Sequence, residues 1–312
     1  MRMYLLCLLL FLTGCQTTSS TRPCKSFEVP KYVDQQLMAD LSTLASPQAN
    51  GRRTGTPGHK YSYQYIIERF KDIGLQSWHG GYTQRFLHPK LKKRVGVNVL
   101  GFLQGKLTSD KLIVVTAHYD HLGGRGRNVY LGADDNASGV AMMMALATHL
   151  TRNSPRYSVL FVATDAEEKG LLGSEQLIAS KTIDISKVVF NINLDMVARA
   201  KRLYYLSSKP KNDIFHQQIK LIEQACLISR RTHRSFSNTK VIDYKKASDH
   251  FSFARQGVDY IFIGGGQHAD YHGVGDNVTR ISPTHFSNRV AVVNQLYALI
   301  EQSAINLLEK SN

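Results

Sequence analysis

Cysteine is scarce in this chain, with four in 312 residues, and no two of them form a CxxC pair. A zinc site built from cysteines is therefore excluded. No long apolar run occurs after residue 12, so no membrane-spanning helix is expected. Residues 31–312 contain no Pro/Gly/Ser linker, internal repeat or low-complexity tract, which favours one domain. Acidic residues are in deficit, 24 against 39 Lys and Arg, giving a net charge of +15 and a pI near 9.6. The densest basic clusters, Lys90–Arg94 and Arg230–Arg234, lie in no recognisable nucleic-acid motif. They read as solvated surface, with anionic lipid headgroups a secondary partner and no nucleic acid expected. Gly264-Gly265-Gly266 is not followed by Lys-Ser/Thr, so it is no phosphate cradle.

The start of the chain has a pattern of its own. Met1-Arg2 precedes an apolar stretch from Tyr4 to Leu12, of signal-peptide length and too short to span a bilayer. It ends in Leu12-Thr13-Gly14-Cys15, which resembles the bacterial lipoprotein box, where cleavage before the cysteine is followed by its lipidation. Residues 1–14 are then a lipoprotein signal peptide, 15–30 the lipidated Cys15 and a tether, and 31–312 the folded domain. Cleavage leaves 38 basic against 24 acidic residues, a net charge of +14. Gln16 in place of an aspartate points to a lipid anchor in the outer membrane, facing the periplasm. Cys24 and Cys226 remain as a pair that an oxidising compartment permits to form a disulfide.

Periodicity gives helices at 31–45, 57–73 and 138–150 and one apolar stripe through Phe286, Val290, Val293, Tyr297, Ile300 and Leu307. Strands are expected at 94–103, 112–117, 157–163, 188–194 and 260–263. Short apolar strands separated by helices predict an α/β fold, a mainly parallel mixed sheet with helices on both faces. Such sheets bind ligands beyond the carboxyl ends of their strands. His118, Asp135, Glu168, Asp195 and His272 each lie in or just past a loop that follows a strand. Two imidazoles and three carboxylates suit zinc and are too many for one tetrahedral ion, which suggests two metals sharing a carboxylate.

His118-Tyr119-Asp120, Gly132–Gly139 (GADDNASG), Ala166-Glu167-Glu168, Leu194-Asp195-Met196 and Asp270-Tyr271-His272 resemble the ordered motifs of the co-catalytic di-zinc aminopeptidases, the family of bacterial leucyl aminopeptidase. Asn50–Gly58 resembles that family's segment ahead of its first long helix. The resemblance implies a single-domain zinc-peptidase fold and two zinc ions bridged by Asp135. One ion would add His118 and Asp195, the other Glu168 and His272. Glu167 would be the general base, and Asp120 would accept the second ring N–H of His118. A cis peptide at Asp135-Asn136 is implied as well. The activity implied is removal of N-terminal residues from peptides with a free N-terminus, by a water held between the two ions.

Taken singly, each residue has a plainer explanation. His118 could be a satisfied polar residue, Glu167-Glu168 a solvated turn, Asp134-Asp135 and Asp195 loop or helix caps, and His272 a loop histidine. His121, His250 and His268 are assigned structural or pocket roles, and Ser248-Asp249-His250 is no triad, since consecutive residues do not converge. Two alternatives stay open: a glutaminyl cyclase of the same fold with a single zinc, and a catalytically silent binding lipoprotein.

Overall fold

The computed structural model describes residues 31–107, 110–126, 128–210, 213–222, 228–230, 234–237 and 240–309. Cys15 and its tether, and the Cys24–Cys226 pair, lie outside these residues. No helix among them is long and apolar enough to cross a membrane.

The described residues begin with α1 (Lys31–Leu44) and α2 (Pro57–Ile73). In α2 the Thr56 side chain caps the first turn by accepting from the His59 N–H, and Pro57 supplies a preset φ. Gly74 ends it in the left-handed region at φ 90°. Strands β1 (Thr83–Leu87), β2 (Val95–Leu103) and β3 (Leu112–His118) follow, then the hairpin β4 (Gly123–Arg125) and β5 (Asn128–Tyr130). Next come α3 (Gly139–Arg152), β6 (Ser158–Thr164), α4 (Leu172–Ala179), β7 (Val188–Asp195) and β8 (Leu203–Ser207). The remainder is α5 (Ile214–Ile219), β9 (Ile228–Arg230), β10 (Arg234–Ser237), β11 (Lys240–Asp243), α6 (His250–Ala254), β12 (Tyr260–Gly264) and α7 (Pro283–Glu309).

Eight strands form one mixed sheet in the order β1-β2-β6-β3-β7-β12-β8-β9. Its centre is parallel, with β6, β3, β7 and β12 paired in that sense. Alternate residues of β3 point to opposite faces: Ile113, Val115 and Ala117 join the core under α1, α3 and α7, while Leu112 and Val114 join a second core with Leu177 of α4 and Phe253 of α6. Burial on both faces is why β3 and β6 read as nearly unbroken apolar runs, while β7 buries Asn191 and Asn193, which are hydrogen-bonded to Thr116 of β3. The α7 stripe is buried at Phe286, Val290, Val293, Tyr297 and Ile300.

Four parallel strands therefore end at one edge. His118 is the last residue of β3 and Asp195 the last of β7. The segments after β6 and β12 carry Glu167, Glu168 and His272 to the same place, as the topology requires.

Candidate metal centre

The centre is built around Asp135, in a six-residue π-type turn from Ala133 to Ser138 just before α3. The Asp135-Asn136 peptide is cis. The turn is held from three directions. Asp276 accepts the backbone N–H groups of Asp134 and Asp135 at 2.9 and 3.0 Å. Asn136 donates to the Leu194 carbonyl at 3.0 Å and accepts from the Gly139 and Met196 N–H groups, tying the turn to the end of β7. Beneath it, the fully buried Arg52 donates from Nε to the Tyr119 carbonyl at 2.7 Å. Its Nη1 donates to the carbonyls of Leu44 and Leu131 at 2.6 Å each, and its Nη2 to that of Gly132 at 2.8 Å. Burial lowers this guanidinium to about 10, which leaves it charged at neutral pH.

The two oxygens of Asp135 face different partners. Oδ1 stands 3.5 Å from His118 Nε2, which is in turn 3.6 Å from Asp195 Oδ1. Oδ2 stands 3.1 Å from His272 Nε2, and that nitrogen is 3.2 Å from Glu168 Oε1. All five ligands expected from the sequence are thus brought together. His121 was not expected among them: its Nδ1 lies 3.0 Å from Glu168 Oε1 and 3.7 Å from Asp135 Oδ2. The sequence assigned it a structural or pocket role, and the structure places its ring against the cluster, hydrogen-bonded to Glu168. The only sequence signal was a second imidazole three residues after His118.

Donor atoms about 2.1 Å from one tetrahedral ion stand about 3.4 Å apart. The contacts within both groups, 3.0 to 3.7 Å, scatter around that edge. Asp135 Oδ2 and Asp195 Oδ1 are buried, yet among the described residues no donor is aimed at either in hydrogen-bond geometry. Buried carboxylate oxygens are seldom left so. Two such oxygens facing imidazoles are what donors converging on a shared cation show, while His121 meets Glu168 Oε1 in hydrogen-bond geometry; the imidazole and carboxylate set fits zinc.

Without a cation, the carboxylates draw protons onto the imidazoles. Burial works to lower His272, but its contacts with Asp135 and Glu168 outweigh this and take it to about 10. Burial likewise opposes protonation of His118, and Glu167, Asp120 and Asp195 together push it well above the usual range. Glu168 is raised by burial and lowered further by His121 and His272, ending well below the carboxylate norm. Glu167, which lines the cleft, is raised by burial well above that norm.

Asp120 takes a different position from the one expected. His118 Nδ1 is nearer the Asp120 carbonyl oxygen, at 3.1 Å, than its carboxylate, at 3.6 Å. The carboxylate instead accepts the N–H groups of Glu167 and Glu168, at 2.9 and 3.4 Å. His250 and His268 stay outside the cluster: His250 Nε2 donates to the Tyr244 carbonyl at 2.9 Å, and His268 Nε2 sits 3.4 Å from Asp134 Oδ2. Met196, Tyr244, Phe262 and Tyr271 line the same cleft as His118, Asp135, Glu167, Asp195 and His272 and supply an apolar wall of it.

A family model described as peptidase family M28 matches residues 98–297. The alkaline phosphatase isozyme conversion protein of Escherichia coli (strain K12) is 31% identical over 176 residues, 50% of each chain. This chain therefore spans about half the length of that relative. BSAP, a zinc aminopeptidase from Bacillus subtilis, has a similar structure, with a TM-score of 0.67 and 16% identity over 87% of this chain and 96% of that one. A glutaminyl cyclase from an Acidobacteriales bacterium gives a TM-score of 0.68 and 19% identity, covering 89% of this chain and 98% of the other. At these identities the likeness is one of fold.

Proposed function

The chain belongs to peptidase family M28, and from that membership we propose that it is a zinc-dependent exopeptidase that removes residues from the free N-terminus of peptides. One observation carries the two-metal reading: the two oxygens of Asp135 face separate donor groups, His118 with Asp195 on one side and His272 with Glu168 on the other. A carboxylate so placed suits a bridge between two ions rather than a single-zinc site. That favours hydrolysis over glutaminyl cyclisation, although cyclases share the fold.

Asp135, His118 and Asp195 would hold one zinc, and Asp135, Glu168 and His272 the other. Bound zinc supplies an acidified water and a polarised substrate carbonyl. The chain's own residues do the rest. Glu167 presents its carboxylate to the cleft, where it takes a proton from the attacking water and returns it to the departing amine. Burial makes that carboxylate more basic than an exposed one. Asp120 fixes its backbone. The apolar wall of Met196, Tyr244, Phe262 and Tyr271 favours an uncharged first side chain. Attachment to the outer membrane through lipid on Cys15, facing the periplasm, belongs to this reading and is supported by the Leu12–Cys15 sequence.

The test is mass spectrometry of peptides with varied N-terminal residues, glutamine included, incubated with zinc-loaded protein with and without chelator. Stepwise loss of whole N-terminal residues, abolished by chelator, is the expected result. Loss of ammonia from the glutamine peptide alone would identify a cyclase. Intact peptides with zinc bound would leave a binding role.

A further inference from the structure

His121 is fully buried; its Nδ1 meets Oε1 of Glu168 at 3.0 Å in hydrogen-bond geometry and lies 3.7 Å from Oδ2 of Asp135, the two oxygens that His272 also approaches. The two rings meet edge to face with centroids 5.8 Å apart. The placement of His121 depends on a special backbone. A Cβ at Gly132, where φ is +57°, would fall 2.5 Å from His121 Cδ2, 2.6 Å from its Cγ and 2.1 Å from the Asp135 carbonyl oxygen. Only glycine leaves room there for the ring, and Arg52 clamps the Gly132 carbonyl from below. Thus a glycine and a buried arginine together press an extra imidazole against the bridging aspartate. Its distances of 3.0 and 3.7 Å to Glu168 and Asp135 bracket the spacing of about 3.4 Å between donors on one tetrahedral zinc.

We propose that His121 is a nitrogen ligand of the second zinc through Nδ1, giving that ion four protein donors: Asp135, Glu168, His121 and His272. The inference rests on the two-zinc reading above. Its consequence is an asymmetric centre. The second ion would have four protein donors, against three for the first from His118, Asp135 and Asp195. The two sites then differ in affinity, and the second fills first.

The experiment is X-ray absorption spectroscopy of the full chain loaded with two zinc ions, together with zinc titration of the stripped protein against a competing chelator. Wild type, His121→Phe, which keeps the buried volume without a donor, and His121→Asn are compared. The expected spectrum counts three imidazoles for two zinc ions, falling to two in His121→Phe. The expected titration shows the tighter ion losing at least about 100-fold in affinity, at or beyond the range seen when only an outer-shell partner is lost. An imidazole count of two in the wild type would reduce His121 to a hydrogen-bonding support for Glu168 and overturn the proposal, even if both variants misfold. Unchanged affinities in a folded variant would also overturn it. Failure of the wild-type chain to bind two zinc ions would instead sink the metal reading itself, and this inference with it.

Discussion

The backbone N–H of Glu167 donates to Oδ1 of Asp120 at 2.9 Å, and the next residue's N–H reaches Oδ2 of the same carboxylate. One buried carboxylate thus sets the turn that carries both the proposed base and a proposed ligand. Its main-chain oxygen meanwhile lies 3.1 Å from the His118 ring. Asp120 therefore acts on both metal groups without joining either. Asp120→Ala should weaken zinc binding by about 10- to 100-fold and lower kcat even when zinc is saturating, because Glu167 loses its anchor. Asp120→Asn, which keeps one acceptor oxygen, should recover part of both. Chelator competition and kcat at saturating zinc report the two effects separately.

Glu167 and Glu168 are adjacent but have opposite electrostatic surroundings. Burial raises Glu167, whereas His121 and His272 overcome burial and hold Glu168 ionised. A base and a ligand differ in this way. Glu167→Gln should retain two zinc ions and lose about 100- to 10,000-fold in kcat. Glu168→Ala should lose the second ion. Metal analysis beside turnover decides the matter, and equal metal loss in both variants would reverse the assignment.

Arg52 touches no proposed ligand side chain, yet it satisfies the carbonyls of Tyr119, Leu44, Leu131 and Gly132. Removing it takes the donor from the buried Tyr119 and Leu44 carbonyls, each worth about 1–3 kcal/mol, while the Gly132 carbonyl keeps the Ala137 N–H. Arg52→Met should destabilise the zinc-free protein by about 3–5 kcal/mol, as losing one partner of a buried charged network does. Arg52→Lys should recover little, since one ammonium cannot reach carbonyls spread around a planar fork. Urea unfolding of the stripped protein measures both.

Much of this was legible in the sequence. The parallel strands announced themselves because both faces of β3 and β6 are buried, so their residues are largely apolar without alternation, whereas β7 buries Asn191 and Asn193 among its apolar residues. His118, Glu168, Asp195 and His272 lie at or beyond the ends of β3, β6, β7 and β12 and Asp135 in the turn ahead of α3, and their division between two ions came from the family resemblance. The edge strand β1, with its exposed and polar positions, carried no such signal, and neither did the hairpin of β4 and β5. His121 escaped because its role depends on where the loop after β3 turns back. That path is set by Gly132 and Arg52, distant in sequence from the histidine they position. Asn50–Gly58 was noticed only as a resemblance, because a buried arginine serving carbonyls has no local sequence signature.

The raised imidazoles make zinc binding a proton-release reaction. His272, at about 10, and His118, raised well above its usual range, hold protons in the metal-free protein at neutral pH. An imidazole must be neutral to bind metal. Zinc affinity should therefore fall as pH drops, by about tenfold per pH unit for each proton expelled. Calorimetric titration at pH 7 in buffers of different ionisation enthalpy counts those protons directly. A count of zero would show that neither imidazole carries a proton in the metal-free protein at pH 7.

His250 is shifted in the opposite direction, and it acts through folding rather than binding. Its ring is fully buried, its Nε2–H is spent on the Tyr244 carbonyl, and Nδ1 has no partner among the described residues. Burial pushes it from 6.5 down to about 4. Between those values the unfolded chain binds a proton that the folded chain refuses, so the stability present above pH 6.5 is lost as pH falls toward 4. The loss is on the order of 3 kcal/mol. Below pH 4 both states are protonated and this contribution stops changing. His250→Gln, whose amide can still donate to Tyr244, should flatten the pH dependence of the urea midpoint between pH 7 and 4 relative to wild type. Parallel curves for the two proteins across that window would show that His250 is not the group that titrates.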